Sequence, residues 1–230
     1  METVEMDLRG LMLVLHVASG SVALLTAALA LLTEKGPRFH AKVGQVYAMA
    51  MVGVGSTAAV LWALGSSSFL LFIAFFSTYL VLVGWRLGHN RRGVIGRVDA
   101  ALLGVGVIGA LGLLAVAVTM ALPGQGDAGV AGATAVVPLV FAAICAALAF
   151  TQRSAMKHGT APRGKDRIRQ HGLFMGAGTI ATVTAFSLTA VGGGVVMWLL
   201  PTVLGTPLIL WNLRGLGTGR VAAPEAAADA

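Results

Sequence analysis

Charge is scarce in this chain. Asp, Glu, Lys and Arg make up 11% of its 230 residues, less than half of the roughly 25% that a water-facing globular domain carries. A soluble globule with an ordinary polar surface is therefore excluded. A single cysteine, Cys145, excludes a disulfide scaffold. The apolar runs do not alternate with polar residues, so a transmembrane β-barrel is excluded as well. No run of spanning length contains a lysine that could carry a retinal Schiff base. There is no Walker loop, no Rossmann glycine pattern, no C-x-x-C-H haem attachment and no Ser-His nucleophile spacing. Collagen-like periodicity is absent despite 31 glycines.

What is present is oil. The chain is 57% hydrophobic, with a mean hydropathy of +0.87, and its many small residues suit helices that pack closely in lipid. A crossing of the hydrocarbon needs about 20 apolar residues. Seven such stretches can be drawn, over 10–32, 43–64, 68–86, 98–122, 129–150, 170–191 and 195–213. "GSSS" at 65–68 and "GGG" at 192–194 break two longer runs into hairpins, and "PGQGDAG" at 123–129 makes another turn. The expectation is an all-α polytopic bundle: seven transmembrane helices over 1–213, then a short cytoplasmic tail, 214–230, without regular structure. No positively charged n-region precedes the first run, so a cleaved signal peptide is not expected. Pro201 and Pro207 make the last span the least regular.

The basic residues decide orientation. Lys35, Arg38 and Lys42 fall between spans one and two. Arg86, Arg91, Arg92 and Arg97 fall between three and four. Six more lie in the 152–169 loop, and Arg214 and Arg220 follow span seven. Of the 16 basic residues only Arg9 lies on the other side. Positive residues stay cytoplasmic, which predicts an outside N-terminus, a cytoplasmic C-terminus and a plasma-membrane location. The formal charge of +7 then reflects topology and an affinity for anionic lipid at the cytoplasmic face, not nucleic-acid binding.

Ionisable groups within spans are costly and mark sites. His16 sits about six residues inside the first span, roughly 9 Å deep at the helical rise. A neutral imidazole there needs partners for its ring nitrogens, and Thr182, Thr184 and Ser187 of span six lie at suitable depths. His16 is also a candidate haem ligand, although the other histidines lie near the opposite face, about 25 Å away. His40, Asp99 and His171 each open an even-numbered span, His89 ends the third, and His158 lies in the longest basic loop. His40 with His171 makes the better pair for haem b, whose iron is held through imidazole nitrogen. A second reading gathers His40, His89, Asp99 and His171 around a divalent metal such as zinc, which could activate water. The bland reading has the histidines and arginines reaching the headgroups, and Asp99 favoured by the helix dipole and paired with Arg97 or Arg38. Cys145, mid-span, reads as a small buried hydrophobe.

The block "HVASGSVALLTAALALLTEKGPRFHAKVGQVYAMAM", with His16, Gly20, Lys35, Gly36, His40, Gly44, Tyr47 and Met51, resembles the opening of an uncharacterised prokaryotic membrane family, domain of unknown function 2306. "RRGVIGRVD" and "RQHGLFMGAGTIATVTAF" are similar to its later segments, with Asp99 and His171 in the marked places. The resemblance spans about 10–213 and implies a prokaryotic membrane protein with no assigned activity. The leading functional reading is a haem-b-associated or other redox membrane component. The alternatives are a small-solute or ion transporter, and a metal-dependent hydrolase or structural subunit working with a membrane partner or a second copy. His16→Leu makes span one more apolar and is expected to leave membrane insertion intact, as read by resistance to alkaline extraction. A variant that fails to insert contradicts the span.

Overall fold

The computed structural model describes residues 2–33, 38–122, 134–157, 159, 161–192 and 194–214. Among them are seven helices: α1 (Glu2–Leu32), α2 (Phe39–Ala63), α3 (Ser68–His89), α4 (Arg97–Ala121), α5 (Val136–Lys157), α6 (Gly164–Val191) and α7 (Val195–Leu213). Even the shortest, α7 with 19 residues, is about 28 Å long, close to the thickness of a bilayer's hydrocarbon core. All seven are apolar enough to cross a membrane. The chain is an integral, multi-pass membrane protein with an all-α bundle.

The helices outrun the apolar stretches where polar residues can reach the interface. α1 begins at Glu2 rather than at residue 10, and α6 begins at Gly164, one and a half turns into the basic loop. α5 runs to Lys157 instead of ending at 150. Hydropathy marks the part in hydrocarbon, whereas the backbone keeps its helical bonds until a cap or turn intervenes. Ser67 supplies such a cap, accepting from the Phe69 N–H at 3.2 Å, so the "GSSS" break falls where a turn is required. Gly192 ends α6 at φ +70°, a left-handed backbone that glycine adopts without penalty. The 123–129 turn, His158, Lys35 and the 215–230 tail lie outside the described residues.

α3 is the hub. It packs against α2, α4, α5 and α6, while α1 leans on α2 and α7 on α6. Of its crossing stretch 61% is buried, against 11% for α1 and 6% for α7. One face of α3 enters the larger core through Phe69, Phe76, Tyr79, Leu80 and Val83. Val81 enters a smaller core with Ala23, Ala27, Tyr47, Ala48 and Met51. The outer helices expose Leu13, Val14 and Leu25 on α1 and Val203, Leu204 and Leu208 on α7. Such broad apolar faces are what lipid accepts and water does not.

Close approach depends on glycines set opposite large side chains. A Cβ at Gly106 of α4 would stand 2.6 Å from the Tyr79 ring, and one at Gly178 of α6 would stand 2.5 Å from Val81. On α3, Gly84 and Gly88 form a G-x-x-x-G groove in which α6 seats Met175 and the His171 ring. The basic loops are tied together at one end of the bundle. Gly93, at φ +65°, offers its carbonyl to the Ala161 N–H at 3.0 Å, and Arg163 Nε donates to the Arg92 carbonyl at 3.0 Å.

Gly106→Ala is expected to cost about 1–3 kcal/mol by overpacking, read as a lowered thermal midpoint in detergent. Gly104, with nothing within 4 Å of its Cβ position, provides the control: Gly104→Ala is expected to leave the midpoint unchanged or raise it.

Candidate functional site

The polar groups gather at the basic end, where α2, α4 and α6 begin and α3 ends. Asp99 sits in the first turn of α4, and its Oδ2 accepts from the Gly96 N–H at 2.9 Å. Arg86, one turn before the end of α3, grips the same carboxylate with two nitrogens, Nε to Oδ1 at 3.1 Å and Nη2 to Oδ2 at 3.0 Å. A planar guanidinium suits that two-point contact. Asp99's partner is therefore Arg86, not Arg97 or Arg38. The reason is rotational: residue 86 lies on the α3 face that meets α4. The network runs inward from there. Gln152 of α5 donates to the Asp99 carbonyl at 3.1 Å and accepts from the Tyr79 hydroxyl at 2.9 Å. A cavity of about 20 Å³ opens beside this network, lined by Arg86, Asp99, Gln152 and Gln170 among apolar neighbours. It suits a water-sized group.

Across the bundle, His40 and His171 come together. Their ring centroids are 6.3 Å apart with the planes at 84°. His40 Nδ1 lies 3.2 Å from the Ala30 carbonyl at the end of α1, and His171 Nδ1 lies 2.7 Å from the Gly84 carbonyl on α3. A carbonyl only accepts, so both rings donate through Nδ1. A neutral imidazole that donates there carries its lone pair on Nε2. Such a backbone contact is how metal-binding histidines fix tautomer and ring orientation. The ring of His171 fits because residue 88 is glycine, whose Cβ would stand 3.1 Å from it. One turn before His171, Arg167 donates to the Leu87 and Gly88 carbonyls at 3.0 and 2.7 Å, placing a cation at the negative end of α3. Trp85, next in α3 to the Gly84 that holds His171, packs against the cluster of Tyr47, Ala48 and Met51, and its buried indole N–H has no partner among the described residues.

The remaining sequence candidates are placed elsewhere. His89 is exposed, folded over Trp85 at 4.6 Å, with Nδ1 donating to the Trp85 carbonyl at 2.9 Å. Among the described residues no three of His, Cys, Asp and Glu come close enough to hold a metal ion. The set His40, His89, Asp99 and His171 thus divides into the imidazole pair, an exposed ring and a carboxylate bound to Arg86. His16 faces α2, its Nδ1 2.9 Å from Thr57 Oγ1. Thr57 spends its own proton on the Gly53 carbonyl at 2.7 Å, so His16 donates. Its hydroxyl partner is in span two, not among Thr182, Thr184 and Ser187 of span six. Of these, Thr182 instead meets Tyr47 at 3.0 Å. Cys145 is fully buried, its thiol donating to the Gly106 carbonyl at 3.2 Å.

Sequence reasoning missed Arg86, Thr57, Gln152 and Trp85 as partners. One signal for the site was readable: the Gly84 and Gly88 pair in "GWRLG" marks where another helix approaches α3 closely. Asp99→Asn is expected to destabilise the protein by about 1–3 kcal/mol, since it weakens charged hydrogen bonds of a buried acceptor. Replacing both partners, Arg86→Met with Asp99→Leu, should recover part of that loss, as measured by thermal unfolding in one detergent. Equal or greater loss in the double variant contradicts the pairing. Compared with known proteins, the chain matches no protein-family model, no curated protein and no solved structure.

Proposed function

We propose that this protein is a redox component of the plasma membrane that binds one b-type haem between α2 and α6, which His40 and His171 would hold. What supports the reading above all is the pair itself: two imidazoles from different helices, both held through Nδ1, with centroids 6.3 Å apart. That separation is within the reach of two imidazoles that would hold one metal ion between them, each through a nitrogen about 2 Å from it. The unpartnered Trp85 N–H adds a donor for the edge of such a group, and Gly44, whose Cβ position meets only Met175 at 4.0 Å, leaves that wall of α2 low.

When bound, the haem would supply one-electron chemistry. The chain's own residues would set its surroundings: the Ala30 and Gly84 carbonyls orient the imidazoles and raise their basicity, and Arg167 adds positive charge nearby. The same proposal includes the finer topology, with the N-terminus outside and the basic end in the cytoplasm among anionic lipids. It also includes a prokaryotic origin within domain of unknown function 2306.

Protein produced with a haem supply and purified in detergent is expected to show a Soret band, with the absorbance reduced at least tenfold in both His40→Ala and His171→Ala. His89→Ala, altering an exposed ring, should keep it. Colourless wild-type protein, or a band that survives both pair variants, contradicts the proposal.

A further inference from the structure

At the end of the bundle opposite the basic loops, α7 carries polar groups that have found no partner. Trp198 is 4% exposed, its ring packed 4.9 Å from Phe69 of α3 and 6.3 Å from Phe141 of α5. Its indole N–H is buried with no partner among the described residues. One turn later on the same face, the buried hydroxyl of Thr202 is also unpartnered. That is unusual for this molecule. Ser77, Thr151, Thr179, Thr182 and Thr184 each donate to the carbonyl four residues back in their own helix, the ordinary refuge of a hydroxyl inside a membrane helix. Thr202 does not take it.

Between them lies Pro201, inside α7. Proline has no N–H, so the Met197 carbonyl loses its helical donor. Within two turns, α7 thus carries a buried indole donor, a buried hydroxyl and a carbonyl whose helical donor the proline removes. Freed backbone groups in membrane helices are commonly re-satisfied by ordered water.

We infer that one water molecule is bound at this turn of α7. It accepts from Trp198 Nε1–H, meets the Thr202 hydroxyl, and donates to the Met197 carbonyl. Water both accepts and donates, whereas a lipid ester carbonyl could only accept and would leave Met197 unserved. The bound water lets a proline-containing helix continue unbroken from Val195 to Leu213 while the Trp198 indole N–H and the Thr202 hydroxyl stay buried. This site is independent of the proposed haem, at the other end of the bundle.

The test uses full-length protein in lipid bilayers with ¹⁵N-labelled tryptophan. The Trp198 indole resonance, assigned by its disappearance in Trp198→Phe, is expected to show a through-space cross-peak to water. Thr202→Val, close in shape, should shift that resonance and lower the thermal midpoint by about 2–4 °C, and Thr202→Ser should restore it. A midpoint raised by Thr202→Val would mean that an unpaired hydroxyl had been removed, and overturns the inference. A cross-peak to lipid protons with none to water overturns it equally, as does the absence of both.

Discussion

Inside hydrocarbon a polar group has no water to turn to, and each one must find its partner within the chain. Most features of this bundle follow from that constraint. Among the described residues, Ser21, Thr26, Ser77, Thr119, Thr151, Thr179 and Thr184 return their hydroxyls to their own helix backbone. Other contacts bridge helices: Tyr47 to Thr182, Thr78 to the Met51 carbonyl, and His16 to Thr57. Asp99, the acidic residue at the mouth of α4, is held by Arg86, by the Gly96 N–H and, through its carbonyl, by Gln152. The unpartnered Trp85 and Trp198 N–H groups stand out because so much else is satisfied.

Packing obeys a second consequence of the same solvent. Lipid tails are as apolar as leucine, so helices gain little by hiding apolar side chains from them, and association rests on close fit. Glycines on α3, α4 and α6 let Met175, Tyr79 and Val81 sit almost on the neighbouring backbone. α3 can then touch four other helices, and its last turns can hold both Arg86 and the carbonyl that orients His171. The central helix positions each of the two polar clusters at the basic end.

The number of helices and two of the turns were legible because each span is a long apolar run broken by Gly or Ser. Helix ends were less legible. The first turns of α1 and α6 are charged, and hydropathy stops at the hydrocarbon edge while the backbone does not. Cross-helix partners were illegible for a geometric reason. Whether Asp99 meets Arg86, Arg97 or Arg38 depends on the rotation of α3 against α4, which the positions of charges along the chain leave undetermined. His16 met the same ambiguity: several hydroxyls share its depth, and only packing selects Thr57. His40 and His171 could be paired from sequence, since both open spans that start on the same side. Their hold through the Ala30 and Gly84 carbonyls could not, because those are backbone atoms of other helices.

The proposed haem would be held by the His40 and His171 imidazoles, whose planes stand 84° apart. Two imidazoles would hold an oxidised haem iron low-spin, and loss of one would leave it high-spin. Electron paramagnetic resonance of the oxidised protein in detergent is therefore the most direct measurement. A low-spin signal is expected, replaced by a high-spin one in His171→Ala. A high-spin signal in the unaltered protein, or a spectrum indifferent to His171, would contradict the proposal.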